Sequence, residues 1–193
     1  GADEGEFIEI AGPAGTDLTG WSVALYNGNN GAMYGTLPLS GVLSDMGQGY
    51  GTLTVAAPGI QNGSPDAIAL VDGAGAVVQF LGYEGVMTAV DGPAMGMTSV
   101  DVGVAEDGGT GAGMSLQLTG SGSQAGDFTW AAAADATPGA ANAGQDFVSG
   151  PSVTTYAIAD AQVAEGDDGI AQMVFTVTRS DGAGAASLDF ATA

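Results

Sequence analysis

The sequence contains no histidine, no cysteine and a single base, Arg179, in 193 residues. Without His there is no Ser-His-Asp triad, no Cys-His dyad and no His-ligated zinc or iron. Without Cys there are no disulfides and no thiol chemistry, and cysteine usage carries no information on the redox compartment. One Arg cannot neutralise a row of phosphates or hold an anionic lipid surface, which argues against nucleic-acid binding by this chain. Long apolar runs are missing too. No stretch approaches ~20 uninterrupted apolar residues, so no transmembrane helix is expected. The opening Gly1-Ala-Asp-Glu-Gly5 has neither the basic start nor the apolar run of a signal peptide.

What is abundant is acid and glycine. Asp plus Glu number 22 against one base, for a formal charge of −21, and Gly numbers 35. The hydrophobic fraction of 45% is sufficient for a core, so the charge does not by itself imply disorder. Carboxylates, hydroxyls and backbone groups remain for chemistry, and carboxylates without bases suit hard cations, above all Ca²⁺. Ser and Thr have no base to activate them. Glu6 and Glu9 bracket Phe7-Ile8 on a strand and point to opposite faces, which makes them a poor glycosidase pair.

Glycine interrupts nearly every window that a helix would need. Short strand signals recur at Phe7–Ile10, Trp21–Tyr26, Gly51–Ala56, Ala67–Val71, Val77–Tyr83, Met114–Leu118 and Phe128–Ala131. Turn dipeptides such as Asn27-Gly28, Asp72-Gly73 and Asp91-Gly92 separate them. The clearest hairpin joins Ala67–Val71 to Val77–Tyr83 through Asp72-Gly-Ala-Gly75. The pattern predicts an all-β fold: a β-sandwich over residues 1–145, a linker over 146–152, and a partial second sandwich over 153–193. The expected core includes Phe7 or Ile8, Ile10, Leu18, Trp21, Val23, Leu53, Ile68, Leu70, Val78, Phe80, Leu116, Leu118 and Trp130. The other aromatics, Tyr83 and Phe128 among them, read as core rather than as a sugar platform.

The pieces Glu6-Phe-Ile-Glu-Ile10, Asp17-Leu-Thr-Gly-Trp21, Asn62 to Asp72, Val77-Val-Gln-Phe-Leu-Gly-Tyr83, Ser115-Leu-Gln-Leu118, Phe128-Thr-Trp130 and Thr137-Pro-Gly139 occur in an order that resembles the lamin tail domain. The closer resemblance is to its bacterial, secreted form, and it implies an immunoglobulin-like β-sandwich. Ala164-Glu-Gly-Asp167, Val174-Phe-Thr-Val-Thr-Arg179 and Ala186–Ala193 resemble the beginning of a Calx-beta domain. That likeness implies a Ca²⁺-ligand role for Glu165. Against these families the first region lacks an opening strand and the second lacks most of its strands. An unpaired edge is therefore expected near Glu6–Ile10, and residues 153–193 are expected to need a neighbouring segment to be ordered.

Between Glu84 and Gly113 the strand alternation fades, and five acids stand among glycines: Glu84, Asp91, Asp101, Glu106 and Asp107. A segment of this length is usually functional or tied down. A Ca²⁺ ion, which takes six to eight oxygens, is the tie that these residue types suggest; Glu165, in a separate acidic turn, is a candidate ligand through the Calx-beta resemblance. The alternative is a set of solvated turn carboxylates, since Asp-Gly is turn chemistry in any case. The function expected is non-enzymatic: a structural, adhesion or assembly module of a larger secreted or cell-surface bacterial protein, its partners being other copies or other domains of the parent. The alternative is an accessory domain of a secreted nuclease whose catalytic domain lies outside this chain.

Overall fold

The computed structural model describes residues 5–63, 65–106, 110–111, 113–148, 156–158 and 176–179. The chain divides into two units, Gly1–Gly150 and Pro151–Ala193. The described part of each carries strands. Among the described residues the only helical element is one 3-10 turn, Ala125–Asp127.

The centre of the first unit is a five-stranded sheet in the order β3-β2-β5-β6-β7. Its strands are β2 (Ser22–Tyr26), β3 (Met33–Pro38), β5 (Asp66–Val71), β6 (Val77–Tyr83) and the two-residue β7 (Val100–Asp101). All neighbours are antiparallel except β6 and β7, which run parallel. The anticipated β5–β6 hairpin is present. Asp72 closes it, its carboxylate accepting from the Ala74 amide at 2.9 Å and the Ala76 amide at 2.8 Å.

Side-chain alternation sorts the central strands into two unlike faces. On one face lie Val23 and Leu25 of β2 with Ile68 and Leu70 of β5; on the other lie Ala24, Tyr26, Ala67, Ala69 and Val71. The large-residue face is covered by a second, two-stranded sheet, β1 (Phe7–Pro13) and β4 (Tyr50–Ala56), which contributes Ile8, Ile10, Leu53 and Val55. Leu18, Leu39 and Leu43 complete this cluster from connecting segments. Each such side chain, fully buried, contributes about 1.5–3 kcal/mol.

The β1–β4 pair has an outward edge. The Ala57 amide donates to the Glu6 carbonyl at 2.9 Å and the Ala14 amide to the Gly49 carbonyl at 2.8 Å. Both pairs lie in the same register as the ladder between them. In an antiparallel ladder such pairs alternate, so the even residues of β1 bond to β4. Phe7, Glu9 and Ala11 direct their backbone groups the other way. Among the described residues no strand other than β4 pairs with β1.

A third sheet, in the order β10-β8-β9, comprises β8 (Met114–Gly122), β9 (Thr129–Asp135) and β10 (Gln145–Phe147). Tyr50 stacks on Phe147 at 5.0 Å between ring centroids, and its hydroxyl donates to the Ser123 carbonyl. In the second unit β11 (Tyr156–Ile158) pairs antiparallel with β12 (Val177–Arg179). The Ala186–Ala193 segment of the Calx-beta resemblance lies outside the described residues.

Parts of the expected core are corrected. Val78 is 53% exposed. Opposite β6, Leu70 pairs with Gln79 and Val71 with Val77, so Val78 is the extra residue of a bulge and turns outward; Val77 packs inward in its place. Leu116, Leu118 and Trp130 are half-buried and belong to neither cluster. Between them Gln117 is buried, its amide donating to the Asp135 carbonyl at 2.7 Å, where the β8–β9 register shifts. Strands β3, β7 and β10 were not expected, and β8 runs to Gly122 rather than ending at Leu118.

Candidate functional site

The segment from Glu84 to Val100 is tied down by apolar contact. Its exposure alternates along Val86-Met87-Thr88-Ala89-Val90, with Met87 and Ala89 buried and the others exposed. The chain then reverses and returns. The Ser99 amide donates to the Met87 carbonyl at 2.9 Å, the Ala89 amide to the Met97 carbonyl at 3.0 Å, and Thr88 and Thr98 form an isolated antiparallel bridge. The result is a flap whose inner residues Met87, Ala89 and Ala94 sit on the alanine face of the large sheet, against Ala24, Tyr26, Ala67, Ala69 and Phe80. Alanine is what permits this. A small side chain on the sheet lets irregular backbone approach, where a Leu would hold it away.

Three polar contacts fix the flap's position. The Ala94 amide donates to the Tyr26 hydroxyl at 3.0 Å, in the interior. The Val90 amide donates to the Gly31 carbonyl at 2.9 Å, and the Met33 amide to the Asp91 carboxylate at 2.7 Å. At the base of the flap, Gly82 is approached so closely that a Cβ there would lie 2.2 Å from the Gly85 carbonyl oxygen and 2.7 Å from Ser99 Oγ.

The described candidate metal residues do not all fall together. Glu84 follows β6 in the left-handed region, at φ 66°. The parallel pairing of β7 with β6 sets Gly82 opposite Asp101 and so brings Asp101 near Glu84. The two line a shallow, open depression of about 210 Å³ with Gly85, Gly103, Val104 and Ala105. Asp101 also accepts from the Gly103 amide at 2.8 Å. Asp91 is at the flap tip, engaged with Met33. Glu106 is exposed. Asp107 and Glu165 lie outside the described residues. Among the described residues no three carboxylates converge as a metal ion would require.

The carboxylates have found another partner. With almost no base available, they accept hydrogen bonds from backbone amides. Asp17 takes the Thr19 amide, Asp45 the Gly47 amide, and Asp66 the Gly28 amide. Asp127 takes those of both Ser123 and Gln124. Glu9 bridges the Thr54 hydroxyl and the Gly139 amide. Asp17 is held below the usual aspartate range by the Thr19 hydroxyl and amide, and Asp127 by the Ser123 and Gln124 amides.

One polar knot went unforeseen. The Tyr34 hydroxyl accepts from the Gln61 amide at 2.9 Å, and the Tyr83 hydroxyl donates to the Gln61 carbonyl at 2.8 Å. Asn27 donates through its side-chain amide to Gln61 Oε1. Beside it the buried Asp66 holds the Gly28 amide. Burial raises the pKa of both tyrosines and favours their protonated form, in which Tyr83 donates to Gln61. The Asn27-Gly28 signal marked the turn after β2, but nothing local marked its meeting with Gln61, Tyr34 and Tyr83.

Comparison with protein families, with curated proteins and with solved structures returns no match. Among the described residues no helix is long and apolar enough to cross a membrane.

Proposed function

We propose that this chain is a non-catalytic structural and assembly module of a larger secreted or cell-surface bacterial protein, completed by a strand from a neighbouring copy. The observation that carries the reading is the outward edge of β1. Three consecutive odd residues, Phe7, Glu9 and Ala11, present backbone groups away from β4, in a sheet of only two strands. Such an edge gains main-chain hydrogen bonds by accepting another strand. The resemblance to the lamin tail and Calx-beta families supports the same reading, as do carboxylates engaged in holding turns. Ca²⁺ belongs to this proposal at the depression that Glu84 and Asp101 line together, where their two carboxylates would form part of a hard-cation shell.

The test is light scattering of the full chain at rising concentration, beside Ala11→Pro. Proline at 11 removes an outward donor and leaves the β4 ladder intact. Wild type should associate and the variant should remain monomeric. A wild type that stays monomeric at every concentration overturns the assembly reading. A melting temperature unmoved by chelator at constant ionic strength overturns the Ca²⁺ part alone.

A further inference from the structure

The outer face of the flap exposes a cluster of large apolar side chains around the Thr88–Thr98 pair. Val86 and Val90 are 53% and 58% exposed on the outgoing arm, Met95 is 68% exposed at the tip, and Met97 and Val100 are 41% and 66% exposed on the return. Met33, at the start of β3, adjoins them: a Cβ at Gly92 would lie 3.0 Å from its sulfur. An antiparallel ribbon with one face buried normally turns polar residues to water. Here the outward positions of the two arms carry Val86, Val90 and Val100 around the Thr88–Thr98 pair, and Met95 and Met97 are exposed beside them, in a chain of charge −21. Of the eleven exposed large apolar residues described, these six lie on or against one short flap. That concentration separates a patch from the scattered exposure normal for any surface.

The charges around the patch select its occupant. Glu84 stands at the base of the flap, Asp91 at its tip and Asp101 beyond its return arm, and the whole chain offers one base. A second copy docked flap against flap would set these three carboxylates against their own counterparts, and an anionic lipid surface would meet the same local repulsion. An apolar centre with a carboxylate rim complements a segment carrying apolar residues between Lys or Arg. Methionine side chains, unbranched and polarizable, adapt to such a segment without demanding one sequence.

We propose that the outer face of the 86–100 flap is a docking surface for a cationic amphipathic segment of a partner protein. The proposal rests on the partner-binding, non-catalytic reading above but uses a different surface, so failure here leaves the outcome at the β1 edge untouched.

The experiment is methyl NMR on the methionines of the full chain, with three probes at one ionic strength. The probes are an amphipathic Leu/Lys peptide, the same peptide with Glu for Lys, and an oligolysine of equal length. The Leu/Lys peptide should shift the methyls of Met33, Met95 and Met97 and leave Met46, which is exposed elsewhere, in place. The other two probes should move none of them. Met95→Gln with Met97→Gln, both at exposed positions, should weaken Leu/Lys binding by about tenfold or more, as expected for apolar residues central to an interface. Equal shifts at Met46, equal affinity in the variant, or oligolysine binding as tightly as the Leu/Lys peptide each overturn the proposal. Shifts of the flap methyls that follow protein concentration without peptide assign the patch to a second copy and also overturn it.

Discussion

On one face of the five-stranded sheet the side chains are large and the cover is another sheet. On the other face they are mostly alanines and the cover is a loop. Both faces are buried, but by opposite means. Val23, Leu25, Ile68 and Leu70 interdigitate with β1 and β4, so that layer is held by side-chain volume. Ala24, Ala67 and Ala69 offer little volume, and the flap is held by close approach and by hydrogen bonds from its backbone to Tyr26 and Gly31. A volume-held layer suffers most from deletion. A layer held by proximity suffers from insertion.

That contrast is broken most directly by exchanging size across the sheet. Leu25→Ala should cost about 2–5 kcal/mol, the usual price of a buried cavity of that size, read as a lowered urea midpoint for the whole unit. Ala69→Leu should cost less, roughly 1–3 kcal/mol, because the flap can lift away from an overpacked site. Hydrogen exchange separates the two. Ala69→Leu should speed exchange at the Ala94 and Ser99 amides while the β1–β4 amides keep their protection. If both variants loosen both layers alike, the two faces are one cooperative core and the distinction fails.

The next test concerns the hydrogen bond beneath the flap. Tyr26→Phe keeps the ring, which meets Phe80 edge-on at 5.3 Å, and removes the acceptor of the buried Ala94 amide. An orphaned buried N–H should cost on the order of 1–2 kcal/mol. The loss should be confined to the flap, visible as faster exchange at Ala94 and altered Met95 and Met97 methyl signals. Unchanged exchange at Ala94 would mean that the alanine contacts alone hold the flap.

How far these features were legible varies with how local they are. The β5–β6 hairpin was legible because Asp72-Gly-Ala-Gly75 sits between two apolar runs and the turn chemistry is complete within it. Strand β3 was hidden by Gly35 and Pro38, residues that argue against a strand interior, and survives as an edge where Pro38 is its last residue. Val78 alternated correctly on paper, but a bulge set by its partner strand turned it outward. The acids of the candidate site were conspicuous as residue types, and their destinations were not. Glu84 and Asp101 meet through a parallel pairing of β6 with β7 across a seventeen-residue interval, whereas Asp91 is drawn to the Met33 amide. Even the flap carried a signal, the period-two run Val86-Met87-Thr88-Ala89-Val90, which the glycines and acids around it obscured.

The smallest effect lies outside both faces and sets the baseline for them. Asp127 accepts from the Ser123 and Gln124 amides at 2.8 and 2.9 Å, and these bonds hold its pKa below the usual aspartate value of 3.8. A carboxyl whose folded pKa is depressed binds its proton more weakly when folded. Its contribution is therefore complete above the unfolded value and is lost as pH falls through the folded one. Lowering pH also discharges the other carboxylates and relieves repulsion within a chain of charge −21, which acts in the opposite direction. That relief is nearly common to wild type and Asp127→Asn, so it cancels in their difference. The urea midpoint of Asp127→Asn should lie below wild type at neutral pH, and the gap should close as pH falls below 3.8. Exchange at Ala94 should not respond, because Asp127 holds the β8–β9 connection, which meets Tyr50 of β4 through the Ser123 carbonyl. A gap that stays constant into acid would show that the turn is held by shape, with the charge on Asp127 contributing nothing.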